Sequence, residues 1–207
     1  MASITDFEPT GSGPEGVGPE RDLGRVEVGN PAAALALAHA ESSIDELFAA
    51  GVEPDDSQDA VVWIDELERL GRRVDAARSE LVESIQRRVL HTADGHGSAK
   101  IMVRHVAHLT NAEATARAKT ARLARDMPKV TTAWKAGEVS TCAVRALGRV
   151  DANPRVAAAL CQRDEEFLAD AQTMDAKAFG RKVHRWARLV DEDGNLTNGT
   201  LATYLMP

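Results

Sequence analysis

Two cysteines are all that the chain contains, Cys142 and Cys161, and neither belongs to a CxxC pair or a Cys/His cluster. That excludes a disulfide framework and a zinc site of ordinary ligand spacing, and leaves two reduced thiols expected to be partly buried. Long apolar runs are equally scarce. The longest, PAAALALA, is far short of a membrane span, and MASITDFEPTGSGPEG offers neither the positive nor the apolar region of a secretory signal. A cytoplasmic protein with no membrane partner is expected. Aromatic residues make up only 4% of the 207 positions, and no stretch before Asp191 alternates convincingly between apolar and polar residues, whereas alanine is abundant. The expected fold class is therefore all-α, a multi-helix bundle. Also missing are a nucleophile elbow, a phosphate-binding loop and a cysteine with a convincing histidine partner. No catalytic residue and no cofactor is expected, and the chain by itself is not read as an enzyme.

What is present is charge, unevenly placed. Residues 1–60 hold two arginines against thirteen carboxylates, so the remainder carries a net +4 although the whole chain stands at −7. The positive charge concentrates between Arg87 and Lys135, where ten lysines and arginines face only Asp94, Glu113 and Asp126. A local basic surface on an acidic chain suits a polyanion such as duplex DNA.

Residues 1–29, rich in Gly, Pro and acid, lack the apolar groups to offset the entropy of ordering and are expected to be a disordered arm. A helical domain is expected over residues 30–194. It opens with Asn30 as N-cap and Pro31 behind it, and its first helix carries Leu37, Ile44, Leu47 and Phe48 before stopping at Gly51. A long second helix, from Asp56 or Asp59 to about Leu90, repeats apolar residues at Trp63, Leu67, Leu70, Val74, Ala77, Leu81 and Ile85. This stripe is expected to pack in the core of its own chain, with a homodimer seam as the alternative. Ser98 then caps a short helix, Thr110 to Glu113 reads as a capping box, and Met127-Pro128 stops the helix it opens. Gly137, Ser140, Asn153-Pro154 and Asp175 mark the later boundaries, and the last helix is basic, with Phe179, Val183, Trp186 and Val190. The three tryptophans are expected to be core anchors.

From Ser98 to Arg125 a short helix, a tight turn and a longer helix form a helix-turn-helix-like unit. On the longer helix Ala114, Ala118 and Ala121 share one face, while Thr115, Lys119 and Arg122 are expected opposite, toward solvent or phosphate. Lys100, Arg104, Lys119 and Arg122 are the candidate phosphate contacts; a merely solvated basic face is the alternative. His91, Asp94, His96, His105 and His108 lie close in sequence, but no pair carries the carboxylate of a recognised metal motif, so no metal site is expected. Asp191 to Asn195 has its glycine one place early for a calcium loop and Ala202 at the twelfth position, which leaves a turn.

The strings RRVLHTADGHGSA, LTNAEATARAKTARLARDMP and WKAGEVS, in that order, resemble the domain of unknown function 222 found in the 13E12 repeat family of high-GC Gram-positive bacteria. The resemblance covers roughly residues 60–194. Arg117 and Thr120 depart from it, standing where larger aliphatic residues are typical. In that family the helical domain usually precedes an HNH endonuclease module, so the resemblance implies a DNA-associating accessory domain. It also implies that residues 195–207 begin a following region and that the nuclease ligands lie outside this chain. A structural or oligomerisation module without nucleic-acid binding is the alternative. Removal of residues 1–29 is expected to leave the thermal midpoint nearly unchanged in a circular-dichroism melt, and a large loss of helical signal would refute the reading of that arm.

Overall fold

A computed structural model describes residues 29–192; the expectations for residues 1–28 and 195–207, and for the turn after Asp191, lie outside the described residues. Among the described residues there are nine α-helices and no strand, an all-α protein as expected. The chain divides into two units, residues 1–53 and 54–207.

The first unit contains helix α1 (Pro31–Ala50), whose Asn30 cap accepts a hydrogen bond from the Ala33 amide at 3.2 Å and whose end is set by Gly51. None of its residues is buried, and Leu37, Ile44 and Phe48 stand exposed.

The second unit is the bundle: α2 (Ser57–Arg87), α3 (Ala99–Val106), α4 (Asn111–Asp126), α5 (Pro128–Ala136), α6 (Thr141–Asp151), α7 (Pro154–Cys161), α8 (Asp164–Thr173) and α9 (Ala176–Glu192). Most boundaries follow from side chains that satisfy the orphan amides of a first turn. Asp56 accepts from the amides of Gln58 and Asp59 at 2.7 and 2.9 Å, Thr110 from Glu113 at 3.2 Å, Ser140 from Ala143 at 3.1 Å, and Asp175 from Lys177 and Ala178 at 2.9 Å. The Glu113 carboxylate does not close a capping box; it binds Arg117 and Arg145 instead. Between α2 and α3 the chain turns through Val89, a β-branched residue in the left-handed region at φ 56°. His91 closes the loop, its Nδ1–H donating to the His96 carbonyl at 2.8 Å.

The main core gathers Leu123, Val130, Trp134, Leu147, Phe167, Phe179 and Trp186 with their neighbours. Phe167 meets Trp186 and Phe179 edge-on, with ring centres 5.2 and 6.4 Å apart. A smaller cluster joins Val82 and Ile85 of α2 to Ala99 of α3 and Ala121 of α4. Three expectations need correction. Trp134 and Trp186 anchor the core, but Trp63 is only half-buried and belongs to neither cluster. Cys161 is half-buried, and burial with nearby Asp126, Asp151 and Asp164 pushes its thiol up, whereas Cys142 is exposed.

The third concerns α2. Its expected apolar stripe does not enter the core: Leu67, Leu70, Val74 and Leu81 are 40%, 42%, 41% and 60% exposed, and only Ile85 at its end is buried. The bundle holds α2 by another face, through Ala76, Ser79 and Val82, with Ser79 bonded to Thr120 of α4 at 3.1 Å and Arg72 donating to the Gly137 carbonyl at 3.0 Å. Arg72, Ala76 and Ser79 lie roughly 145–175° around the helix from the middle of the stripe, and Val82 about 95°.

The break between α7 and α8 has no glycine or proline signal. Asp164 supplies the reason: its buried carboxylate accepts from the amides of Lys129 at 2.7 Å and Val130 at 3.0 Å, capping α5 from a distant helix. Asp164→Ala is expected to cost about 2 kcal/mol, the upper end for lost caps, because the freed amides are buried. Gly137→Ala should cost about as much, since Gly137 sits at φ 85° and an added Cβ would lie 3.0 Å from the Arg69 carbonyl. Denaturant melts check both, and a shift below 0.5 kcal/mol in either would contradict the assignment.

Candidate nucleic-acid interface

The basic segment read from the sequence is largely neutralised in three dimensions by carboxylates on other turns and helices. Lys135 pairs with Glu80 at 2.7 Å, Lys129 with Glu165 at 2.6 Å, Arg125 with Asp126 at 2.8 Å and Arg117 with Glu113 at 3.2 Å. The hydrogen bond donated by Lys129 holds the Glu165 carboxyl below its usual range, and the one that Arg125 donates to Asp126 raises the Arg125 guanidinium. Helix α4 is also central rather than superficial. It packs against α2, α3, α5 and α6, and its exposed residues are Asn111 and Ala112 at the start and Arg125 near the end. The face expected to meet solvent, Thr115, Lys119 and Arg122, is half-buried.

Of the four candidate contacts, Arg122 is committed to the fold. Its guanidinium bonds both the carboxylate of Asp151, at 2.6 Å, and the Asp151 carbonyl, tying α4 to the end of α6. Asp151 is 1% exposed and Arg122 42%. Arg104 donates to the Nε2 of the adjacent His105 at 2.9 Å, and Lys100 is half-buried on the same helix α3. Lys119 is brought to a cavity of about 240 Å³ between α4 and α6, beside Arg145 and Arg149. Lys100 and Arg104 line neither that cavity nor the groove described next. Of the histidine cluster, His96 and His105 meet edge-on with ring centres 5.2 Å apart, but among the described residues no group of three His, Cys, Asp or Glu side chains is placed to hold a metal ion, and His91 is spent on its loop.

A second concentration of positive charge lies elsewhere. A groove of about 790 Å³ runs between α6 and α9, lined by Arg149 from α6 and by Lys177, Arg181, His184, Arg185 and Arg188 from α9. Ala146, Val150 and Gly180 line it too, and among the described residues no carboxylate does. Its origin is helical periodicity. Phe179, Val183 and Trp186 are 0–1% exposed and pull one face of α9 into the core, which turns Lys177, Arg181, His184 and Arg188 outward at intervals of four, three and four residues. Lys182, on the flank, is satisfied by Asp170 at 2.6 Å. Lys177 and Arg188 are eleven residues apart, about 16 Å along the helix, roughly the axial rise over which one DNA strand carries five phosphates. The outward stripe on α9 was readable as a period; what the sequence could not show is that Arg149, some thirty residues earlier, faces it.

The Arg122–Asp151 pair yields a direct check. Arg122→Ala strands a buried carboxylate and should cost about 2 kcal/mol in a denaturant melt, less than the 3–5 kcal/mol of a wholly buried pair because the guanidinium is partly solvated. A variant as stable as the parent would free Arg122 for a ligand role.

No curated protein and no solved structure matches this chain. A family model does, over residues 63–202, from within α2 to beyond α9, so that α1 falls outside it. That region takes in the whole α6–α9 groove and most of the bundle around it, and on that match the chain belongs to the family described as Domain of unknown function (DUF222).

Proposed function

We propose that this domain associates with duplex DNA through the α6–α9 groove, as an accessory element in the cytoplasm serving an HNH-type nuclease module that supplies the cleavage chemistry. The observation that carries the reading is the groove's charge: five cationic or protonatable side chains from α9 and one from α6 share a concave surface that no carboxylate lines among the described residues. Such a surface attracts a polyanion, and its phosphate contacts release counterions on binding. The shared order of sequence motifs with 13E12-type proteins supports the nuclease connection. Helix α4 has less charge to offer a ligand, because Arg117, Arg122 and Arg125 are engaged with carboxylates. Recognition by such a surface is of the backbone, so binding should be modest and largely independent of sequence.

Titrations of duplex DNA at several salt concentrations test this. Arg181→Ala combined with Arg185→Ala is expected to reduce the slope of log affinity against log salt by about two, roughly 0.9 for each lost phosphate contact. Both side chains are exposed on a helix that alanine favours, so the fold should persist. Lys100→Ala with Arg104→Ala should leave the slope unchanged. No binding at low salt, or a slope that responds to the α3 pair and not to the α9 pair, would overturn the assignment.

A further inference from the structure

The cavity between α4 and α6 is a site distinct from the groove. Ala112, Thr115, Ala116 and Lys119 line it from one face of α4, and Arg145 and Arg149 line it from successive turns of α6. The short side chains make its floor, and the three long cations border it. Its walls are held together closely: an added Cβ on Gly148 would lie 3.4 Å from the Lys119 carbonyl, so α6 rests directly on the α4 backbone there.

Charge around this cavity is unbalanced. Among the described residues no carboxylate lines it, and neither Lys119 nor Arg149 has an ion-pair partner. Arg145 donates to Glu113 at 2.7 Å, but Arg117 shares that carboxylate at 3.2 Å, so one negative charge serves two guanidiniums. Lys119 is half-buried, and partial desolvation makes an unbalanced ammonium costly. The anion that suits these walls has more than one charge and several acceptor oxygens. It must also fit about 240 Å³, the liquid volume of roughly eight waters. A phosphate monoester meets both conditions, with about two charges and three free oxygens near neutrality, whereas an internal phosphodiester carries one charge. Arg149 borders this cavity and the α6–α9 groove alike, so a strand lying in the groove passes beside it. Building on the DNA association proposed above, we infer that the cavity takes the terminal phosphate of a strand whose backbone follows the groove. The domain then favours duplexes with phosphorylated strand ends.

The test titrates the full chain, at one low salt concentration, with blunt duplexes of a single sequence that end in 5′-phosphate, 3′-phosphate or hydroxyl groups. The 5′- or the 3′-phosphorylated duplex should bind at least about tenfold more tightly than the hydroxyl-ended one, the worth of one charge-assisted hydrogen bond. Lys119→Gln should bring that ratio close to one and melt no lower than the parent, since it removes an unbalanced cation. Should it fail to fold, Ala116→Leu decides, because it fills the floor with every charge kept: the ratio should again fall to about one. Arg181→Ala with Arg185→Ala should weaken all three duplexes alike and preserve the ratio. Equal binding of the three duplexes by the parent, or a preference that survives Ala116→Leu, overturns the inference and leaves the DNA reading standing. If no duplex binds, that reading falls and the strand-end assignment with it. Inorganic phosphate that raises the melting point of the parent and not of Lys119→Gln would then assign the cavity to a free phosphate, and no such shift would overturn the site altogether.

Discussion

The burial of one face of α9 determines more of this molecule than any other contact. Phe179, Val183 and Trp186 join the main core, where α9 packs on α6, α7 and α8, and Phe167 meets two of them edge-on. Once that face is inside, helical geometry leaves Lys177, Arg181, His184 and Arg188 no position except the outside, above α6. The hydrophobic effect that folds the domain therefore also assembles this positive groove. Solvation does not oppose this arrangement, because the cations stay in water while the rings leave it.

Charge on the rest of the bundle is used differently. Arg122 and Asp151, Arg145 and Glu113, Lys129 and Glu165 each connect helices that are distant in sequence. Asp164 spends its carboxylate on the amides of α5. These pairs consume cations that a linear count credits to a binding face. Buried Asp151 in particular demands a partner, since an unpaired carboxylate at that depth is far costlier than the ordering of one arginine. A linear count of charge therefore singles out α3 and α4, whereas the α6–α9 groove gathers its cations from helices some thirty residues apart.

Helix α2 presents the same lesson with apolar residues. Its seven-residue pattern was plain, and a core position was the expected consequence, yet the bundle binds it through Ala76, Ser79 and Val82 and leaves the leucines outside. A helix of 31 residues can carry two packing faces, and periodicity alone does not rank them. Small residues on the inner face allow α2 and α4 to approach closely enough for Ser79 to reach Thr120, a packing signal much weaker in hydropathy than the leucine stripe. The departures from family pattern at Arg117 and Thr120 acquire a role here: Thr120 serves that contact and Arg117 pairs with Glu113.

By itself the sequence determined the elements and nearly all their ends. Asn30, Asp56, Ser98, Thr110, Ser140, Asn153 and Asp175 are caps whose side chains act within three residues, and Pro128 and Gly137 act through their own backbones, so all are local effects that a linear reading captures. The amphipathic period of α9 was legible for the same reason. Only the tertiary structure decided which of two faces α2 buries, that Arg122 belongs to Asp151, that Asp164 starts α8 while capping α5, and that Arg149 joins α9 in one groove. Each of those is a pairing across roughly thirty or more residues, and it depends on which surfaces compete best for a limited core, a competition that no window along the chain contains.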